Sequence, residues 1–296
     1  MTKKKKVDVY KMVSDKIIAS LEKGEVPWQR PWAVRGMAPA NFNSKRKYTG
    51  MNSILLSMSG YACPYWMTYK GAEKLDGHVL KGEKGTEVVL WKVAKKKVRN
   101  EETGEMEEKK FFFLKYFNVF NLQQTSLADK WVAPELPGET KEPHDIFTEY
   151  VEREGIEVQF GGDRAYYNRG RDEIGMPSPE AFGEEAEFHS TAYHEAVHST
   201  GHKKRLDRLD GGNPLDEEVS SGDAYSKEEL VAEIGAAMLC NLTGVDTEKA
   251  FDNSVAYIKG WKKRIKDDTK LMMRAASQAQ KAVDFIIPDE DEEEEE

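Results

Sequence analysis

The stretch STAYHEAVHSTGHKKRL (residues 190–206) constrains this chain more than any other. It sets His194 and His198 four residues apart, with Glu195 directly after the first. On a helix, positions i and i+4 fall on one face, so both imidazoles can reach a single Zn²⁺. Glu195 then stands beside the open coordination position and can take a proton from water as a general base. This is the H-E-x-x-H arrangement of zinc-dependent peptidases, in which Mn²⁺ or another divalent cation can stand for zinc. The bland alternative is a helix that carries two histidines by chance.

A catalytic site of this kind needs a third protein ligand. The pattern that places a third histidine after His198 is absent, because Lys204 occupies that position. His202 follows Gly201, the expected C-terminal glycine cap, and stays a candidate from a loop. YSKEELVAEIGAAMLC (225–240) offers Glu229 and Glu233, again four apart on a helix. Glu233 is flanked by apolar residues, and a buried carboxylate needs a partner. Glu229 also fits a capping box headed by Ser226. The pair is similar to that of gluzincin peptidases, where a downstream glutamate is the ligand and an acid four residues later holds a ligand histidine. That likeness makes Glu229 the third ligand and Glu233 its supporting neighbour, with the swapped roles left open.

The charge is divided along the chain. Residues 1–130 carry 25 Lys/Arg against 14 Asp/Glu, or +11; residues 131–296 carry 19 against 39, or −20. A basic half joined to an acidic half reads as a polyanion-binding module attached to something else. APELPGETKEPHD (133–145) is the expected linker, and DEDEEEEE at the end reads as a disordered tail. No apolar run reaches the ~18 residues of a membrane helix. Two cysteines, Cys63 and Cys240, make no disulfide framework, so a reducing cytoplasm is the expected setting. The spacing predicts helices over 8–24, 146–154, 184–200, 226–243 and 270–286. Strands are expected at 87–93 and 111–120 around a charged hairpin arm, and 164–177 reads as a strand pair or edge strand. An edge there could take an extended peptide as an added strand.

In the basic half, aromatics and cations interleave. Trp28, Arg30 and Trp32 form one group, Lys45 and Arg46 lie near Phe42 and Tyr48, and Lys84 sits in a glycine-punctuated turn. Aromatics can stack on exposed bases while cations neutralise phosphates, so single-stranded DNA is the expected partner and these six residues the candidate contacts. Most aromatics in a small domain are nonetheless core residues.

VPWQRPW, KYTGMNSILL, WMTYKGAEKLDGHVLKGEKGTEVV and YFNVFNLQQT in the front half, with DEIGMP, YHEAVHSTGHKKRLDR and YSKEELVAEIGAAMLC in the back, resemble the ArdC-type antirestriction proteins of conjugative plasmids. The resemblance covers nearly the whole chain. It implies an amino-terminal single-stranded-DNA-binding domain shared with TraC-type primases and a carboxy-terminal zincin-like metallopeptidase domain. It further implies protection of incoming plasmid DNA from type I restriction, with His194, Glu195 and His198 on the metal motif. The motifs of primase catalysis are absent.

The expected architecture is therefore α+β in two domains. A small basic mixed α/β domain spans 1–130, a linker 131–145, a helix-rich zincin-like domain 146–287 and an acidic tail 288–296. Two functions compete: a DNA-binding protector whose metal is structural, and a metallopeptidase acting on a host restriction-related protein, delivered by DNA or recognising that protein through its first domain.

Overall fold

The computed structural model describes residues 7–29, 32, 34, 36–99, 106–133, 142–209, 226–250 and 255–288. Arg30, most of the expected linker (134–141), the tip of the hairpin arm (100–105) and the tail from 289 lie outside the described residues. The fold is α+β and two-domain, with one mixed sheet in each half.

The front half opens with α1 (Val9–Leu21), whose first turn is capped by the Asp8 carboxylate. Then come β1 (Ala40–Asn41), α2 (Met51–Ser57), β2 (Tyr65–Met67) and α3 (Tyr69–Glu73). A long hairpin follows, β3 (Thr86–Arg99) with β4 (Met106–Asn121). Its strands run well past the apolar stretches the sequence marks, so much of the charged arm is paired ribbon. The sheet order is β1-β2-β4-β3, with β1 and β2 parallel and the rest antiparallel.

The back half is α4 (Pro143–Glu154), β5 (Glu157–Phe160), β6 (Tyr166–Asn168), β7 (Glu173–Met176), α5 (Glu185–Thr200), α6 (Lys227–Thr243), α7 (Thr247–Ala250), α8 (Val255–Asp267) and α9 (Leu271–Ile286). Its sheet order is β5-β7-β6. The segment read as an edge strand divides: Tyr166–Asn168 is the edge, while Glu173–Met176 is central and buried.

One apolar core runs through both halves. Val13 and Ile17 of α1, Trp28, Ile54 of α2 and Val89 of β3 share it with α4, α5, α6, α8 and α9. Polar contacts join the halves as well. The Gly50 N–H donates to Gln280 Oε1 at 2.8 Å, and Ser14 donates to the Thr269 carbonyl at 2.9 Å. Gly50 has φ 55°, and a Cβ there would stand 3.3 Å from the Ala276 carbonyl oxygen, so the residue entering α2 must be small and left-handed. Asn52 clamps the outer edge of β3, donating to the Val89 carbonyl at 2.9 Å and accepting its N–H at 2.7 Å. The KYTGMNSILL motif thus fastens the basic half to the back half.

Candidate metal centre

α5 and α6 pack closely enough that Gly235 has no room for a side chain: a Cβ there would stand 2.7 Å from Val197 Cγ2. That approach brings the first turn of α6 against the histidine face of α5. His194 Nε2 and His198 Nε2 lie 3.1 Å apart. Glu229 reaches them from α6, with Oε2 at 3.3 Å from His194 Nε2 and Oε1 at 3.5 Å from His198 Nε2. Ligands about 2.0–2.1 Å from a tetrahedral zinc are themselves separated by roughly 3.3 Å, so this set fits such an ion. Among the described residues it is the grouping of three or more His, Cys, Asp or Glu side chains close enough to share a metal.

The electrostatics agree with that fit. Burial disfavours a charge on His198, but Glu228 and Glu229 outweigh it and carry its pKa to about 10. Burial likewise opposes ionisation of Glu229, yet hydrogen bonds from His194 and His198 hold its carboxyl well below the usual range. Two carboxylates beside the imidazoles favour positive charge at this point, which a divalent cation would supply.

Glu195 is buried at 7% exposure on the same helix. Ser226 caps α6 by accepting the Glu229 N–H at 3.2 Å, while the Glu229 carboxylate turns to the histidines. The expected capping contact and the expected ligand position therefore coexist.

Two sequence expectations need correction. Glu233 is not the acid behind a ligand histidine. Its carboxylate accepts the Trp28 indole N–H at 3.3 Å and a hydrogen bond from the Tyr257 hydroxyl. Burial keeps its pKa raised despite those donors. Glu228 holds the position behind His198 instead, with Oε1 3.4 Å from His198 Nδ1. Arg208, buried with 1% exposure, anchors Glu228 through Nε at 2.8 Å and Nη2 at 2.7 Å. The signal was available as Glu228, the first of two adjacent acids in SKEEL, but spacing alone could not choose it.

Trp28 is not a base-stacking residue. It is 3% exposed and packs edge-on against Trp261 at 6.2 Å, and its N–H serves a half-buried carboxylate. Gly201 ends α5 as expected, in right-handed conformation at φ −76°. Its smallness matters because a Cβ would stand 2.7 Å from Leu209 Cγ.

His202 lies apart from the cluster, its Nδ1 accepting the Lys204 N–H at 3.3 Å and sitting 3.7 Å from Asp172. Of the remaining DNA candidates, Lys45 is exposed and its Nζ lies 4.0 Å from the Phe42 ring centroid and 4.5 Å from that of Tyr65. Arg46 and Lys84 are exposed as well. Trp32 is half-buried, its backbone N–H donating to Asn241 Oδ1 at 2.7 Å.

Residues 7–120 match the family model for the N-terminal domain of anti-restriction factor ArdC, and residues 146–278 that for a zincin-like metallopeptidase. The antirestriction ArdC protein of plasmid R388, solved metal-free, is 38% identical, with TM-score 0.75 over 95% of this chain and 97% of that one. The Mn(II)-bound structure of the same protein gives 35% identity and a TM-score of 0.69. An uncharacterized protein, y4eC, of Sinorhizobium fredii (strain NBRC 101917 / NGR234) is 31% identical over 94% of this chain and 91% of its own length. The DNA primase TraC of Escherichia coli is 32% identical over 94% of this chain, which spans only 27% of the primase. With both halves matched in order and the likeness running end to end, this chain belongs to the ArdC antirestriction family.

Proposed function

We propose that this protein binds single-stranded DNA in the cytoplasm and protects incoming conjugative plasmid DNA from type I restriction, carrying a metallopeptidase centre alongside. Residues 1–130 form the DNA-binding domain, 131–145 the linker, 146–287 the metal domain and 288–296 an acidic tail. The observation that carries the reading is the His194–His198–Glu229 cluster, at zinc spacing, in a chain 38% identical to the R388 ArdC protein over 95% of its length. Among the described residues no helix is long and apolar enough to cross a membrane.

His194, His198 and Glu229 would hold the divalent cation, Zn²⁺ or Mn²⁺. When bound, the ion would supply Lewis acidity to a carbonyl and to water. Glu195 takes the proton released during attack and returns it to the leaving nitrogen. Glu228 engages His198 Nδ1 and so leaves Nε2 facing the site. The half-buried edge strand β6 receives an extended segment of a host restriction-related protein.

The test is conjugative transfer into restricting and non-restricting recipients. Protection by the wild-type chain in the restricting host alone is expected, and its absence sinks the reading. Glu195→Gln separates the two classes of mechanism, because it leaves the three ligands in place. Lost protection with retained metal and DNA binding marks a peptidase; full protection marks a DNA-binding protector whose metal is structural.

A further inference from the structure

The β3–β4 ribbon carries exposed side chains that the metal centre does not use. In an antiparallel pair, directly opposed residues share a face. The register sets Val88 opposite Phe117, Leu90 opposite Lys115, Lys92 opposite Phe113 and Ala94 opposite Phe111. At the base, Val88 and Val119 are buried against Trp66 and Leu56. Further out the same face is open: Leu90 is 41% exposed, Phe111 45% and Phe117 37%, Lys92 and Lys115 are exposed, and Phe113 between them is half-buried. The opposite face is exposed as well, Trp91 at 52% and Tyr116 at 40%, but it carries Glu87 and meets α1, with Trp91 edge-on to Tyr10 at 6.3 Å.

Two features indicate what this open face takes. By register it carries no carboxylate within 86–94 and 111–119; Glu87 falls on the other side, opposite Asn118. Two cations, Lys92 and Lys115, sit among apolar groups on it, and Lys115 Nζ lies 5.3 Å from the Phe113 centroid. Lysines alone would be explained as guards against edge-to-edge pairing. They do not explain phenylalanines held in the open on the same face, where an apolar patch marks an interaction site. A duplex hides its base faces in the stack, whereas a single strand offers both base faces and phosphates.

We propose that single-stranded DNA lies along this face of the ribbon, its bases on Phe111, Phe113 and Phe117 and its phosphates against Lys92 and Lys115. The proposal rests on the DNA-binding reading above and gives it a site that the sequence candidates do not include. Same-face residues along a strand recur every ~6.8 Å, so successive aromatics meet different bases.

Full-length protein is titrated onto a labelled oligothymidylate and its duplex with oligoadenylate, across a salt series. Phe111→Ala/Phe113→Ala is expected to weaken single-strand binding by about 10-fold or more, the loss of at least one stacked base. Lys92→Ala/Lys115→Ala is expected to flatten the log–log salt slope by about 1.4, two phosphate contacts. Trp91→Ala, on the other face, is expected to bind as the wild type does. If the wild type binds and both ribbon variants match it in affinity and slope, the site is overturned. It is overturned equally if the variants alter only self-association, which would make the face a contact with a second copy. If the folded wild type binds no single strand even at low salt, the DNA reading itself fails and takes this site with it.

Discussion

Glu228 Oε1 lies 3.4 Å from His198 Nδ1, and the same carboxylate is gripped by the buried Arg208 guanidinium. Arg208 in turn donates to the Val197 carbonyl at 2.7 Å and to Thr200 Oγ1 at 2.8 Å, both on α5. The turn after α5 therefore returns to hold an α6 acid against an α5 histidine. Protein contacts alone join the three segments.

Replacing Glu228 has two separable consequences. Glu228→Ala strands a buried guanidinium and is expected to cost on the order of 3–5 kcal/mol of stability. Glu228→Gln keeps the packing but weakens the carboxylate's hold on His198, and should lower metal affinity by roughly 10–100-fold. Calorimetric titration of the folded Gln variant with Zn²⁺ or Mn²⁺ checks this. Wild-type affinity in that variant would remove Glu228 from the metal centre's support.

Gly235→Ala tests the helix contact that aligns Glu229 with the histidines. The added Cβ meets Val197 at 2.7 Å, so α5 and α6 must move apart. Overpacking of this kind is expected to cost about 1–3 kcal/mol. Val197→Ala in the same chain makes room and should restore part of the loss. Urea unfolding of the single and double variants measures the coupling, and strict additivity would mean that the contact does not set the helix spacing.

Much of the centre was legible because helical pitch alone brings His194 beside His198, and SKEELVAEI places Glu229 in the first turn of its helix. The identity of the supporting acid was not legible. Glu228, Glu229 and Glu233 share one helix, and only the return of Arg208 from a separate turn selects Glu228. Trp28 misled for a related reason. An aromatic beside arginine in VPWQRPW reads as a base platform until the fold shows Glu233 beneath its N–H. The long hairpin was visible as two apolar stretches, but its open face emerges only from the register, which sequence alternation does not fix.

Asp172 gives the back half an acid-sensitive tie. Burial opposes its ionisation, but hydrogen bonds from Arg205 and Tyr167 prevail and lower its pKa from 3.8 to about 2. Because the folded carboxyl is the stronger acid, its contribution is complete above the unfolded value and is lost as pH falls from 3.8 through about 2. Asp172→Asn should therefore be less stable than the wild type near neutrality, with the gap narrowing across that window. Urea midpoints of both proteins over a pH series provide the comparison, and a gap that stays constant with pH would contradict the assignment.

Trp28→Phe separates packing from DNA contact at the VPWQRPW motif. The substitution keeps an aromatic ring against Trp261 but removes the N–H that reaches Glu233 at 3.3 Å. Leaving that half-buried carboxylate one donor short is expected to cost about 1–3 kcal/mol. Tyr257 still donates to the same oxygen, so the lower part of that range is expected. Affinity for single-stranded DNA should be unchanged, since a residue 3% exposed has no face to offer a base. Thermal melts and an oligonucleotide titration on the same preparation decide the matter. Unchanged stability with weakened DNA binding would return Trp28 to the nucleic-acid surface.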